Sequence, residues 1–173
     1  MKTLLSLIFL LFIPFQESPP QIQKVNIQIH GLVCSLCTKS VEESVSKLDF
    51  VDQVQANLAL TQAEVTFKSN AKISFYQLAR AVERAGFSVG GLVVYLESTS
   101  QPLPPKGILK STEGFIFQNV GEEILGNDGI LALQLVGVDF MEKKEFKKNW
   151  GKYAYKGKNS VENTFMVAAP RRP

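Results

Sequence analysis

Cys34 and Cys37 are the only two cysteines in the chain, and just two residues, Ser35 and Leu36, separate them. Alternating apolar residues precede them and a helical pattern follows, so both thiols fall on a turn between a strand and a helix. The thiolate is the form that reacts and ligates, and the amide groups of a helix N-terminus stabilise it. A pair of thiolates with no further donor suits a soft, low-coordinate ion, Cu(I) above all. The Cu(I) bis-thiolate carries one negative charge, which helix amides and nearby Lys39 would offset. Zn(II) takes four ligands, commonly with nitrogen or oxygen among them. The residue before Cys34 is Val33, there is no second cysteine pair, and the single histidine, His30, is expected as an exposed loop residue rather than a third donor. Zn(II) therefore ranks below Cu(I).

The same spacing also serves thiol–disulfide chemistry. A thioredoxin-like fold would need a cis-proline loop facing the cysteines, and no proline lies between Gln21 and Gln101. In an oxidising compartment the pair could still close. The closed pair and a metal exclude each other, so redox state is expected to gate the site.

Composition sets the frame. The chain has 173 residues, 45% hydrophobic and 20% charged, which is ordinary globular composition. A net charge of +3 gives no argument for nucleic acid as a partner. Two cysteines and one histidine exclude a disulfide framework and a cysteine/histidine zinc cage. Residues 1–18 read as a signal peptide, with Lys2 as the basic start, Leu4 to Ile13 as the apolar run and Pro14 ending it. Export to a bacterial periplasm or cell envelope is the expectation, with no integral membrane span after signal cleavage.

The elements that must hold the cysteines follow from periodicity. Val25, Ile27 and Ile29 alternate with Asn26 and Gln28 and predict a half-buried strand. Gly31 supplies backbone freedom in the loop, and Leu32 and Val33 are expected to anchor it to the core. Cys37, Val41, Val45 and Leu48 fall on one helical face. Val51 to Leu58 and Ala63 to Phe67 predict two further strands. Ser74 is the expected N-cap of a second helix carrying Phe75, Leu78, Ala79 and Val82, with Gly86 at its end. Phe87 to Leu96 completes the set as a strand that Gly90-Gly91 breaks or bulges. The order β-α-β-β-α-β predicts an α+β, ferredoxin-like fold over residues 22–96.

With these elements in place, residues 22–96 resemble a heavy-metal-associated domain. The family loop, G-M-x-C-x-x-C at the start of the first helix, is similar to Gly31-Leu32-Val33-Cys34-Ser35-Leu36-Cys37. Ala56-Asn57-Leu58, Ala63-Glu64-Val65-Thr66-Phe67 and Glu83-Arg84-Ala85-Gly86-Phe87 match further family segments in the same order. The resemblance implies metal binding by Cys34 and Cys37, and it places Phe87 beside the metal loop, where core packing is its expected role. Leu32 departs from the family methionine. That methionine packs inward rather than ligating, so leucine is expected to preserve the fold. The family spans copper chaperones, modules of copper-pumping ATPases and the periplasmic mercuric-ion-binding protein, which adds Hg(II) as a candidate ion.

Residues 97–106 are polar and proline-rich and predict a semi-rigid linker. Residues 107–170 predict a small β-rich domain, an incomplete barrel or sandwich. Its expected strands lie at Phe115 to Asn119, Ile130 to Val138, Tyr153 to Tyr155 and Thr164 to Ala168, with a turn at Gly126-Asn127-Asp128-Gly129. Phe140 to Trp150 reads as a short helix with Asp139 as N-cap. Lys143, Lys144, Lys147 and Lys148 form a basic cluster, expected as a solvated face, with contact to an acidic partner or an anionic membrane as the sharper alternative.

The leading expectation is an exported, non-enzymatic protein that captures Cu(I) through Cys34 and Cys37. It would pass the ion by thiol exchange to a metal-transfer partner protein in the cell envelope. The competing readings are mercuric-ion binding, a periplasmic thiol–disulfide protein, and an interaction module whose C-terminal part recruits an envelope partner.

Overall fold

The computed structural model describes residues 19–97, 102–153 and 163–170. The expected signal segment 1–18, residues 98–101 of the expected linker, and Tyr155 of one expected strand lie outside the described residues.

The first half has the order read from the sequence: β1 (Ile22–His30), α1 (Ser35–Ser46), β2 (Val51–Asn57), β3 (Gln62–Phe67), α2 (Phe75–Arg84) and β4 (Ser88–Glu97). It is the ferredoxin-like β-α-β-β-α-β arrangement. β1 lies between β3 and β4 and runs antiparallel to both. Alternation along β1 turns Val25, Ile27 and Ile29 to the helices, where all three are buried. Ser74 caps α2, its side-chain oxygen accepting from the Gln77 N–H. The β1–β4 register shifts by one residue between Gln28 and Ile29, which leaves Gly90 as the bulge.

The C-terminal part is β-rich and contains β5 (Ile108–Lys110), β6 (Ile116–Asn119), β7 (Ile130–Leu135) and β8 (Thr164–Ala168). Instead of forming a barrel or sandwich of their own, these strands extend the first sheet through β7, which pairs antiparallel with β4 from Val93–Gln134 to Glu97–Ile130. The full order is β2-β3-β1-β4-β7-β8-β6-β5, and β6 and β8 are parallel. Val65, Val25, Val94 and Leu133 stand side by side on four successive strands, all fully buried. The physical reason is that β4 has a hydrogen-bonding edge beside an apolar face. β7 satisfies both, because Leu131 and Leu133 continue that face.

α2 ties the halves together. Phe75, fully buried, packs its ring 4.8 Å from Phe115, 5.1 Å from Phe165 and 6.4 Å from Phe117, centroid to centroid. The expected linker is likewise packed at Leu103, which exchanges two backbone hydrogen bonds of 2.9 Å with Ile124. Asn119, wholly buried, reaches the Leu103, Pro104 and Glu122 carbonyls with its amide nitrogen and accepts the Gly121 N–H.

The expected helix at Phe140 to Trp150 is corrected. Met141 forms a bridge with Gly91 and so continues the β4 ladder, and Asp139 caps nothing. The helix α3 is only Lys143–Glu145, with Glu142 as N-cap, and leads into a π-helical turn at Phe146–Trp150 and a 3-10 turn at Gly151–Tyr153. Tyr153 therefore ends a helical turn rather than starting a strand. Phe146 and Trp150 pack with Met141, Met166 and Ala168 in a second, smaller core. The turn at Asp128-Gly129 has φ values of 50° and 75°, closed by reciprocal Asn127–Ile130 backbone bonds.

Candidate functional site

β1 delivers the chain to one end of the sheet, and a four-residue loop passes it to α1. Gly31 takes φ +87°, a conformation that side-chain-bearing residues adopt only with strain. The next residue, Leu32, is 1% exposed and anchors the loop. Val33 is 81% exposed, so the expectation that it shares the anchoring is corrected; the extended backbone alternates and turns it to solvent. Leu36, 77% exposed, adds a second apolar side chain to the rim.

Cys34 is the N-cap of α1, with extended φ and ψ of −149° and 159°. Its sulfur accepts the Cys37 N–H at 3.1 Å, and its carbonyl accepts the N–H groups of Cys37 and Thr38 at 3.0 and 3.1 Å. The helix end thus supplies the donors that favour a sulfur anion. Cys37 sits in the first turn and packs against the core. The Cα atoms are 5.1 Å apart, and the two sulfurs are joined as a disulfide. The structure is therefore that of the oxidised loop. Once opened, the same spacing sets two sulfurs side by side at a helix N-terminus, a donor set that fits a soft ion.

Among the described residues, no group of three or more His, Cys, Asp or Glu side chains is close enough to hold a metal. His30 shows why. It ends β1 on the same face as Gln28, away from the helices, and its ring lies over Gly90 with Nε2 4.0 Å from Glu142 Oε2. Lys39 is exposed and stands 3.9 Å from Glu43, one helical turn away. Phe87 is half-buried and packs on the core; its ring edge would be 3.7 Å from a Cβ at Gly31. That contact is ordinary, so Gly31→Ala is expected to cost only backbone strain, about 1–2 kcal/mol in urea unfolding. The position of Glu142 beside the loop end was missed, because no local pattern in residues 136–142 points back to β1.

Comparison with known proteins covers this half. The heavy-metal-associated domain model matches residues 26–88. Copper chaperone CopZ of Bacillus subtilis is 36% identical over 67 residues, 39% of this chain and 96% of that protein. The mercuric transport protein periplasmic component of Pseudomonas fluorescens is 37% identical over 65 residues, 38% of this chain and 70% of that protein. The probable copper-transporting ATPase PacS of Synechocystis is 34% identical over 79 residues, but this chain spans only 10% of its length. Among solved structures, the CopZ metallochaperone is 26% identical, with 38% of this chain and 97% of that one covered at a TM-score of 0.36. Through the residues that build the cysteine loop and the sheet beneath it, the chain belongs to the heavy-metal-associated domain family.

Proposed function

We propose that this protein binds one soft metal ion, Cu(I) first, through Cys34 and Cys37, and hands it to a partner protein in the cell envelope by thiolate exchange. The observation that carries this reading is the donor set: two sulfurs at the N-terminus of α1, one of them already accepting a backbone N–H. Two thiolates and no further donor suit Cu(I) or Hg(II) better than Zn(II). The names of the copper chaperone and mercuric transport relatives agree with both soft ions. The apolar run Leu4 to Ile13 supports export. Moving an ion needs no bond-making machinery, so the protein acts as a carrier and not as an enzyme. Its Cys37 side is held by the core, and its Val33 and Leu36 rim is open to a partner.

The closed Cys34–Cys37 bond makes reduction the entry step. An external dithiol supplies two electrons and two protons, the sulfur–sulfur bond breaks, and the reductant leaves as its own disulfide. Titration of the chain with Cu(I) against a competing chelator tests the account. Anaerobically reduced protein is expected to take one Cu(I), and oxidised protein none. Equal uptake by both forms would count against it. The closed pair also keeps a thiol–disulfide role as the second reading, which catalytic turnover with a reductase would favour.

A further inference from the structure

Lys143, Lys144, Lys147 and Lys148 follow directly on a segment set at the end of the sheet that carries the cysteine loop. β7 leaves the β4 ladder after Gln134 and the chain rejoins it at Met141, opposite Gly91, and Gly91 pairs with Gln28 near the end of β1. Glu142 then stands 4.0 Å from His30, the residue before Gly31. α3 begins immediately after it. Lys143, Lys144, Lys147 and Lys148 are all exposed, and none is within ion-pair distance of a carboxylate among the described residues. The aromatic residues of the same segment are turned inward, Phe146 buried and Trp150 half-buried. The cysteine loop itself, Gly31 to Thr38, carries no charged residue. One end of the molecule therefore presents an uncharged thiol loop with an apolar rim, flanked by a cationic turn that the C-terminal part contributes.

We propose that this lysine turn is a docking surface for an acidic patch on the protein that exchanges metal with Cys34 and Cys37. The proposal rests on the metal-transfer reading. Two features favour an acidic protein over an anionic membrane. Among the described residues the turn offers no fully exposed aromatic side chain for insertion between lipids, since Phe146 is buried and Trp150 half-buried against the second core. In addition, the chain enters the fold at the other end: Pro19 and Pro20 are held through their carbonyls by Thr112, and nine-residue β1 then separates that end from the loop by about 27–30 Å. Any membrane-directed segment before Pro19 thus joins the fold away from the lysines. Charge placed beside an exchange site raises encounter rates by roughly 10–1,000-fold, and salt removes the effect.

The test uses the full chain, reduced and loaded with Cu(I), and two synthetic dithiol peptides that differ only in glutamate or glutamine flanks. Stopped-flow transfer is expected to be about tenfold faster to the glutamate peptide at low salt. The preference should vanish in 0.5 M NaCl, vanish in the Lys143→Gln/Lys144→Gln/Lys147→Gln/Lys148→Gln variant, and survive in Lys68→Gln/Lys72→Gln at the far end of the sheet. Equal rates to both peptides, or a preference that the quadruple variant keeps, would overturn the proposal. So would a wild-type chain that shows no peptide preference but binds phosphatidylglycerol vesicles through the same four lysines. Cu(I) stoichiometry measured on the same samples keeps the two readings apart, since loss of Cu(I) binding contradicts the metal reading itself.

Discussion

Cys34→Ser is expected to lower Cu(I) affinity by more than about 100-fold, because removing even an outer-shell partner of a metal ligand costs roughly 10–100-fold. In the proposed reading Cys34 is a ligand, and it is also the cap of α1. Serine can replace the cap, as its oxygen accepts the same N–H, but it cannot replace a soft donor. The fold should therefore survive while binding fails. Far-UV circular dichroism beside a chelator competition separates the two outcomes. Cys37→Ser should lose binding to a similar extent. Unchanged affinity in either variant would mean that the ion is held elsewhere.

Phe75→Ala is expected to destabilise the protein by about 3–5 kcal/mol. Phe75 is fully buried between the two halves, touching Phe115, Phe117 and Phe165 while riding on α2. Its removal leaves a cavity in the one core that both halves share. Because β7 is hydrogen-bonded to β4 along five residue pairs, the halves should also unfold together. Urea unfolding followed by Trp150 fluorescence, which reports the C-terminal part, and by circular dichroism, which reports both parts, should give coincident transitions that shift together in the variant. Separate transitions would show two independent domains. An unshifted midpoint would show that Phe75 carries no part of the core.

The first half was legible in the sequence because its signals are local. Val25, Ile27 and Ile29 alternate, Ser74 precedes an apolar i, i+3, i+4, i+7 series, and Gly90 interrupts a strand where the bulge lies. The cysteine loop was legible for the same reason: two thiols after a strand and before a helix have few arrangements. Individual strands of the second half were also readable, Thr164 to Ala168 among them. Their partners were not, since alternation in β7 says which face is apolar but not which edge it joins. The three-residue β5 has no period to detect. Asp139 resembled a helix cap, but the bridge between Met141 and Gly91, fifty residues apart, decides where the helix can begin. Val33 was misplaced because its apolar type does not say which way an extended residue points.

This shared construction also bears on the loop. The strand that ends at His30 is held by β3 on one side and β4 on the other, and β4 is held in turn by β7. The C-terminal part thus buttresses the sheet from which the cysteine loop springs, and through Glu142 it reaches the residue that precedes that loop.

Native mass spectrometry of the full chain, reduced without oxygen and supplied with Cu(I), tests the central claim most directly. The account predicts a single copper on the reduced chain, a mass gain of one copper less one proton, and no copper on the disulfide form. Copper bound to the disulfide form, or to a chain lacking both Cys34 and Cys37, would contradict it.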